Sequence, residues 1–302
     1  MSQPRRIAQQ AGRQALVDTI PFTMPVQGIK SSAFLAAFPV DPMKARMLLQ
    51  GNEVHPFVLW NKGLLLVTVV DYRNTNIGKY IEFSIALAVT HGAKPAPRLL
   101  PALMQGFYGT GQYVFDLPVS TEVSVKGGKG IWGMPKHQAN LSYIEGPTTI
   151  SSQYDLDGRL GMYIEIARPP ATWLPVNTGA VNYCAFRGML FKSTIYFTGK
   201  AGFSLFNKNA ARLVIGDVPR LQVLKEIGLE PEPVATLYLP EVTGVLDDHF
   251  ETWFLSYPEP PATPPEGFES VINLGQGQEW LPPPAAPVPG AKKFFGRSNG
   301  VS

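Results

Sequence analysis

Residues 80–89 alternate without a break. Ile81, Phe83, Ile85, Leu87 and Val89 fall on one face, and Tyr80, Glu82, Ser84, Ala86 and Ala88 on the other. A period of two marks a strand, and the small, polar second face suits either solvent or the wall of a cavity. Residues 64–70 are almost continuously apolar, which predicts a central strand buried on both faces. Residues 153–156 and 161–166 flank Asp157-Gly158, a tight-hairpin signal. Residues 191–198 and 234–239 add two further strands.

Helix signals are few. Asp41 followed by Pro42 offers an N-cap and a proline at the first helical position, opening a helix to about residue 50. Asp217, Pro219 and the run 221–227 predict a second helix stopped by Gly228. Residues 247–255 predict a third, and residues 1–18 a polar arm or short helix. Many strands with so few helices give a mainly β class with α+β margins: a barrel or cone, its helices at the periphery.

Composition narrows the picture. In 302 residues, 45% are hydrophobic and 16% charged, which argues against disorder. The net charge of +3, without a dense Lys/Arg stripe, gives no expectation of a nucleic-acid partner. The best uninterrupted apolar run, residues 63–70, is strand length, so no membrane partner is expected. Arg5, Arg6 and Arg13 are not followed by a signal-peptide core, which leaves a cytoplasmic protein as the expectation. Cys184 is the sole cysteine, so no internal disulfide forms, and four scattered histidines without a CxxC predict no metal site. Ten of the 29 prolines lie between Pro258 and Pro289, where the composition favours polyproline II over packed structure. The chain therefore divides into an arm (1–19), a body (20–257) and a proline-rich tail (258–302). The tail is read as wrapping the body or a neighbouring subunit.

Most catalytic signatures are missing, among them GxGxxG, the P-loop, GxSxG and HExxH. Gly127-Gly128-Lys129-Gly130 lacks the spacing and the Lys-Ser/Thr ending of a phosphate cradle. The informative stretch runs Gly128-Lys129-Gly130-Ile131-Trp132-Gly133-Met134-Pro135-Lys136-His137. A lysine held among apolar side chains loses hydration of its ammonium, which lowers its pKa and frees a neutral amine able to attack a carbonyl carbon. The competing reading is a lysine snorkelling over an apolar strand. Tyr113, Phe115, Trp132 and Met134 either line a cavity or belong to an aromatic core. His55 and His91 read as loop residues and His249 as a helix-surface partner of Asp247-Asp248. Arg212, Arg220 and Lys225 read as solvated or interfacial.

The stretch resembles the acetoacetate decarboxylase family, whose members carry Gly-Arg-Glu-Leu-x-x-x-Pro-Lys-Lys around a Schiff-base lysine. Gly128 and Pro135-Lys136 keep that spacing, so Lys136 falls on the Schiff-base lysine and His137 on its neighbouring lysine. Tyr80-Ile81-Glu82 resembles the family's Tyr-x-Glu strand. Asn182-Tyr183, Gly216-Asp217-Val218-Pro219 and Leu237-Tyr238-Leu239-Pro240 extend the likeness over about residues 20–257. The resemblance implies a β-cone or double barrel around a closed hydrophobic cavity, and a large homo-oligomer. It implies a carbon–carbon lyase, most simply a β-keto acid decarboxylase, that forms an imine on Lys136 and needs no metal or organic cofactor. An aldolase–dehydratase using the same enamine, and a barrel that only binds an apolar small molecule, are the alternatives. Glu82 would act beside Lys136 in catalysis, and Trp132, Met134, His137 and Tyr113 would bind substrate. There are departures from the family pattern. Lys129-Gly130 replaces Arg-Glu, His137 replaces the second lysine, and the site arginine falls on Ser31, with Lys30 beside it.

Overall fold

The computed structural model describes residues 3–259, so the proline-rich tail beyond Glu259 lies outside the described residues. The body is built on seven strands: β1 (Gln27–Val40), β2 (Gly63–Tyr72), β3 (Tyr80–His91), β4 (Gly111–Val119), β5 (Leu174–Phe186), β6 (Met189–Leu205) and β7 (Ala235–Leu246). Each pairs with the next in sequence, and β7 returns to β1, closing a barrel. An odd ring cannot alternate direction all the way round, so one neighbouring pair must be parallel. That pair is β4–β5, joined only through Asn182 opposite Gln112 and Tyr183 opposite Tyr113. A parallel pair needs a long crossover. Here the connection carries helix Glu122–Trp132, the short strand Lys136–Gln138 and most of a second, outer sheet.

That outer sheet contains Asn140–Leu141, Thr149–Leu156, Arg159–Ala167 and Ala211–Ile215. Its hairpin turns at Asp157-Gly158, both with positive φ (52° and 72°), as the sequence predicted. Ile150, Tyr154, Met162, Ile164 and Ile166 face the outside of the barrel and share one core with Phe38, Val67, Phe83, Ile85 and Leu87. The main core therefore sits between barrel and outer sheet. The barrel's inward face leaves a lumen lined mostly by apolar side chains, with Glu82, Ser84, Gln112 and Asn182 among the polar ones. This alters one expectation. Leu65, Val67 and Val69 of β2 are fully buried, but Leu64, Leu66, Thr68 and Val70 are only half-buried, because their side chains face the lumen side.

Three other elements differ from the sequence reading. Residues 1–19 supply helix Arg5–Gln9 and strand Arg13–Val17, which pairs with Ile20–Met24 across the boundary expected at residue 20. Residues 219–225 coil as a 3-10 helix. The helix expected over 247–255 is instead strand Glu251–Phe254 on the edge of β6. The Asp247 carboxylate is held by Arg6, its Oδ1 accepts from the His249 amide in a tight turn, and Trp253 packs on His91 (4.2 Å between ring centres). Long-range pairing thus outweighs local helix propensity. No helix among the described residues is long and apolar enough to cross a membrane.

Candidate active site

The lysine is delivered by a local device. Helix Glu122–Trp132 buries Ser124, Gly127, Gly128 and Trp132 along one face. It ends at Gly133, whose left-handed conformation (φ 64°) folds the chain back, with the Met134 amide donating to the Gly128 carbonyl (3.1 Å). Pro135 prevents continuation, and Lys136 starts a short strand. Gly128 and Lys136 therefore touch. A Cβ on residue 128 would stand 2.7 Å from Lys136 Cε and 3.1 Å from Cγ. Gly127 likewise meets Phe22 at 2.6 Å. Interior glycines cost a helix about 1 kcal/mol each relative to alanine, and close approach is what they permit here.

Strand Lys136–Gln138 pairs with the end of β4, Leu117 opposite Lys136 and Pro118 opposite His137. It occupies the side of β4 left open where β5 stops pairing. A bulge in β4 sets what faces inward. Ala86 stands opposite Val114 but Ile85 opposite Asp116, so Phe115 is an extra residue and the alternation changes phase there. Gln112 and Val114 before the bulge, and Leu117 after it, line the lumen. Tyr113 and Asp116 point the other way.

The lumen encloses a cavity of about 220 Å³. Lys136 enters it, only 5% exposed, with Nζ 2.7 Å from Glu82 Oε2 and 3.0 Å from Ser124 Oγ. The ammonium also lies 5.4 Å from the centre of the Tyr80 ring, which is stacked on Tyr72 at 4.5 Å. Burial first, then the charge of Glu82, raises the Tyr80 phenol well above its ordinary range, so this ring is a neutral cation–π partner. Trp132 and Met134 line the same cavity, and the indole N–H donates to the Asp247 carbonyl at 2.7 Å. Among the described lining residues Lys136 is the one cation and Glu82 the one anion. Ser31, where the resemblance places an arginine, also lines it, and its buried hydroxyl has no hydrogen-bond partner among the described residues.

Two residues expected at the site lie elsewhere. His137 follows Lys136 on a strand and so points to the opposite face, where its Nε2 meets Asp116 Oδ1 at 3.0 Å. Asp116 is fully buried and also pairs with Arg220 (2.9 Å), while Tyr154 donates to it at 3.4 Å. Tyr113 faces outward into the main core, opposite Leu87. The sequence reading had missed Ser124 and Gln112, and had named Asn182 only within the family likeness, without a role at the site. The spacing 124, 127, 128, 132 of small residues and a tryptophan is the signal that finds the helix and hence Ser124. Gln112 carries none, because the bulge and a non-local pairing place it.

A family model described as acetoacetate decarboxylase matches residues 7–166, which hold the first four barrel strands and Lys136. The chain belongs to the acetoacetate decarboxylase family. Solved structures share the fold at low identity. An acetoacetate decarboxylase from Legionella pneumophila matches with a TM-score of 0.55 at 12% identity, over 76% of this chain and 87% of that one. A second acetoacetate decarboxylase gives 0.58 at 12% over 82% and 98%. The enduracididine biosynthesis enzyme MppR, complexed with pyruvate, gives 0.52 at 13% over 76% and 91%. No curated protein matches the sequence.

Proposed function

We propose that this family member is a carbon–carbon lyase working through an imine on Lys136, most simply a β-keto acid decarboxylase. The supporting observation is the buried 2.7 Å contact between Lys136 Nζ and Glu82 inside a mostly apolar cavity. Glu82 accepts a proton from the ammonium across that contact, and the neutral amine attacks the ketone carbon. The carbinolamine loses water to give a protonated imine. The bond to the carboxyl carbon then breaks, its electron pair flows into the iminium, and carbon dioxide leaves. Glu82, having returned its proton to the departing water, takes one from solvent and delivers it to the enamine carbon, and hydrolysis of the resulting imine releases the ketone and restores the amine. The apolar walls favour the charge-dispersing step over the localised carboxylate, since no arginine among the described lining residues stabilises that anion. The same missing cation supports a second reading, in which the enamine attacks an aldehyde. MppR is also known complexed with the condensation product of pyruvate and imidazole 4-carboxaldehyde.

Borohydride reduction in the presence of β-keto and α-keto acids is expected to fix an adduct on Lys136, read by peptide mass spectrometry. Lys136→Ala is expected to abolish it, and Glu82→Gln to slow it about a hundredfold. Absence of any adduct while an apolar ligand still binds would leave the protein a binder and sink the lyase reading.

A further inference from the structure

An ammonium carries three N–H donors, and an iminium on the same nitrogen carries one. Two oxygens lie within hydrogen-bond distance of Lys136 Nζ: Glu82 Oε2 at 2.7 Å and Ser124 Oγ at 3.0 Å. They stand on different sides of the nitrogen. Glu82 lines the cavity, whereas Ser124 is 1% exposed and sits in the wall behind the amine, outside the lining. Ser124 shares a helix face with Gly128, four residues further on. Gly128 is where the stem of Lys136 rests, since a Cβ there would meet Cε at 2.7 Å. One face of one helix therefore fixes both the stem and the tip of the lysine. Packing alone would be served by alanine, the better helix former. What serine adds at this position is an oxygen on the reacting nitrogen.

Resting on the imine chemistry proposed for Lys136, we propose that Ser124 is a catalytic residue whose Oγ accepts the single N–H of the iminium. The proton count leads there. Glu82 carries one proton from the ammonium to the ketone oxygen as the amine's electron pair forms the C–N bond. It then carries a second proton from nitrogen to the hydroxyl, the C–O bond breaks, water leaves, and the C=N bond forms. One N–H remains. The planar nitrogen has three directions to fill. Cε lies on the Gly128 side and the substrate carbon on the cavity side, which leaves the N–H for the wall and Ser124. In an apolar cavity an unmet N–H on a charged group is costly. A neutral oxygen meets it without cancelling the positive charge that draws the electron pair from the breaking bond. Glu82 is thereby left to move protons at oxygen and carbon.

The test brings the intact protein to equilibrium with acetone, and separately with pyruvate, and then fixes the imine with a pulse of borohydride. The trapped fraction against ligand concentration gives a half-trapping concentration, and its time course gives the rate of imine formation. Ser124→Ala and Ser124→Cys are each expected to raise the half-trapping concentration about tenfold or more, the scale of one hydrogen bond to a charged group. The iminium loses its only partner in these variants, while the ammonium keeps Glu82. Glu82→Gln is expected to slow the approach to equilibrium without raising that concentration. Alanine is smaller than serine and cysteine larger, so a rise shared by both traces to the lost oxygen. An unchanged value in the serine variants, a rise in only one of the two when both fold, or a rise confined to Glu82→Gln overturns the role of Ser124 and leaves the imine reading intact. Should alanine not fold, the cysteine variant decides alone. No adduct in the wild-type chain with either ligand overturns both.

Discussion

Gly128→Ala separates the geometry of the lysine from the stability of the fold. The added methyl would stand 2.7 Å from Lys136 Cε and 3.1 Å from Cγ, whereas carbon atoms rest at roughly 3.5–4.0 Å. The lysine side chain must therefore withdraw by about 1 Å, the difference between these distances. That is enough to break the 2.7 Å contact with Glu82 and the 3.0 Å contact with Ser124. Misplacement on that scale costs about a hundredfold in rate. Stability responds differently. Alanine in place of an interior helical glycine gains about 1 kcal/mol, while overpacking costs about 1–3 kcal/mol, so the net loss stays below about 2 kcal/mol. For a body of this size that lowers the melting midpoint by no more than roughly 4–8 °C. The assay is the rate of borohydride-trapped adduct beside a thermal melt on the same preparation. A variant that melts near wild type yet traps at the wild-type rate would show that Gly128 does not position Lys136.

Further outcomes follow from the buried polar groups. Asp116→Asn leaves Arg220 and His137 without their carboxylate and is expected to destabilise by about 3 kcal/mol, the low end for a buried pair because the Arg220 side chain is 41% exposed. Chemical denaturation measures it, and an unchanged midpoint refutes the pairing. Burial lowers the pKa of His55 and of His91, so the native state favours their neutral forms. Their contribution is complete above the unfolded value of about 6.5 and is lost as pH falls through the lowered native values. Melting midpoints are expected to fall below that pH, and less so in a His55→Gln, His91→Gln double variant.

What the sequence made legible was local and periodic. The alternation in β3 assigned Glu82 to the face with Ser84 and Ala86, and that face lines the lumen. The Asp157-Gly158 turn was readable because its backbone admits few residue types. The run from Gly128 to Lys136 kept its meaning because glycine cap, proline and lysine form one continuous turn. The missed features depend on residues distant in the chain. His137 finds Asp116, 21 residues earlier, through a parallel pairing with β4. The bulge at Phe115 turns Tyr113 outward, and nothing in the apolar pattern of 113–117 marks the change of phase. Helix Glu122–Trp132 was hidden because its glycines contradict helix propensity and make sense only against Phe22 and Lys136.

The two-pair join between β4 and β5 bears on how the molecule comes together. It divides the barrel into two meanders, β1–β4 and β5–β7, each stitched by neighbours in sequence. Such local pairings form without large loop-closure entropy, whereas joining β7 to β1 closes a loop of nearly the whole body. Glu82 and Lys136 both belong to the first half of the chain, so they can meet while still hydrated. Only when β5, β6 and β7 fold across them does water leave the lumen. The desolvation of the Glu82–Lys136 pair is thereby deferred to the final closure, when the accumulated hydrophobic burial of the finished sheet is available to offset it.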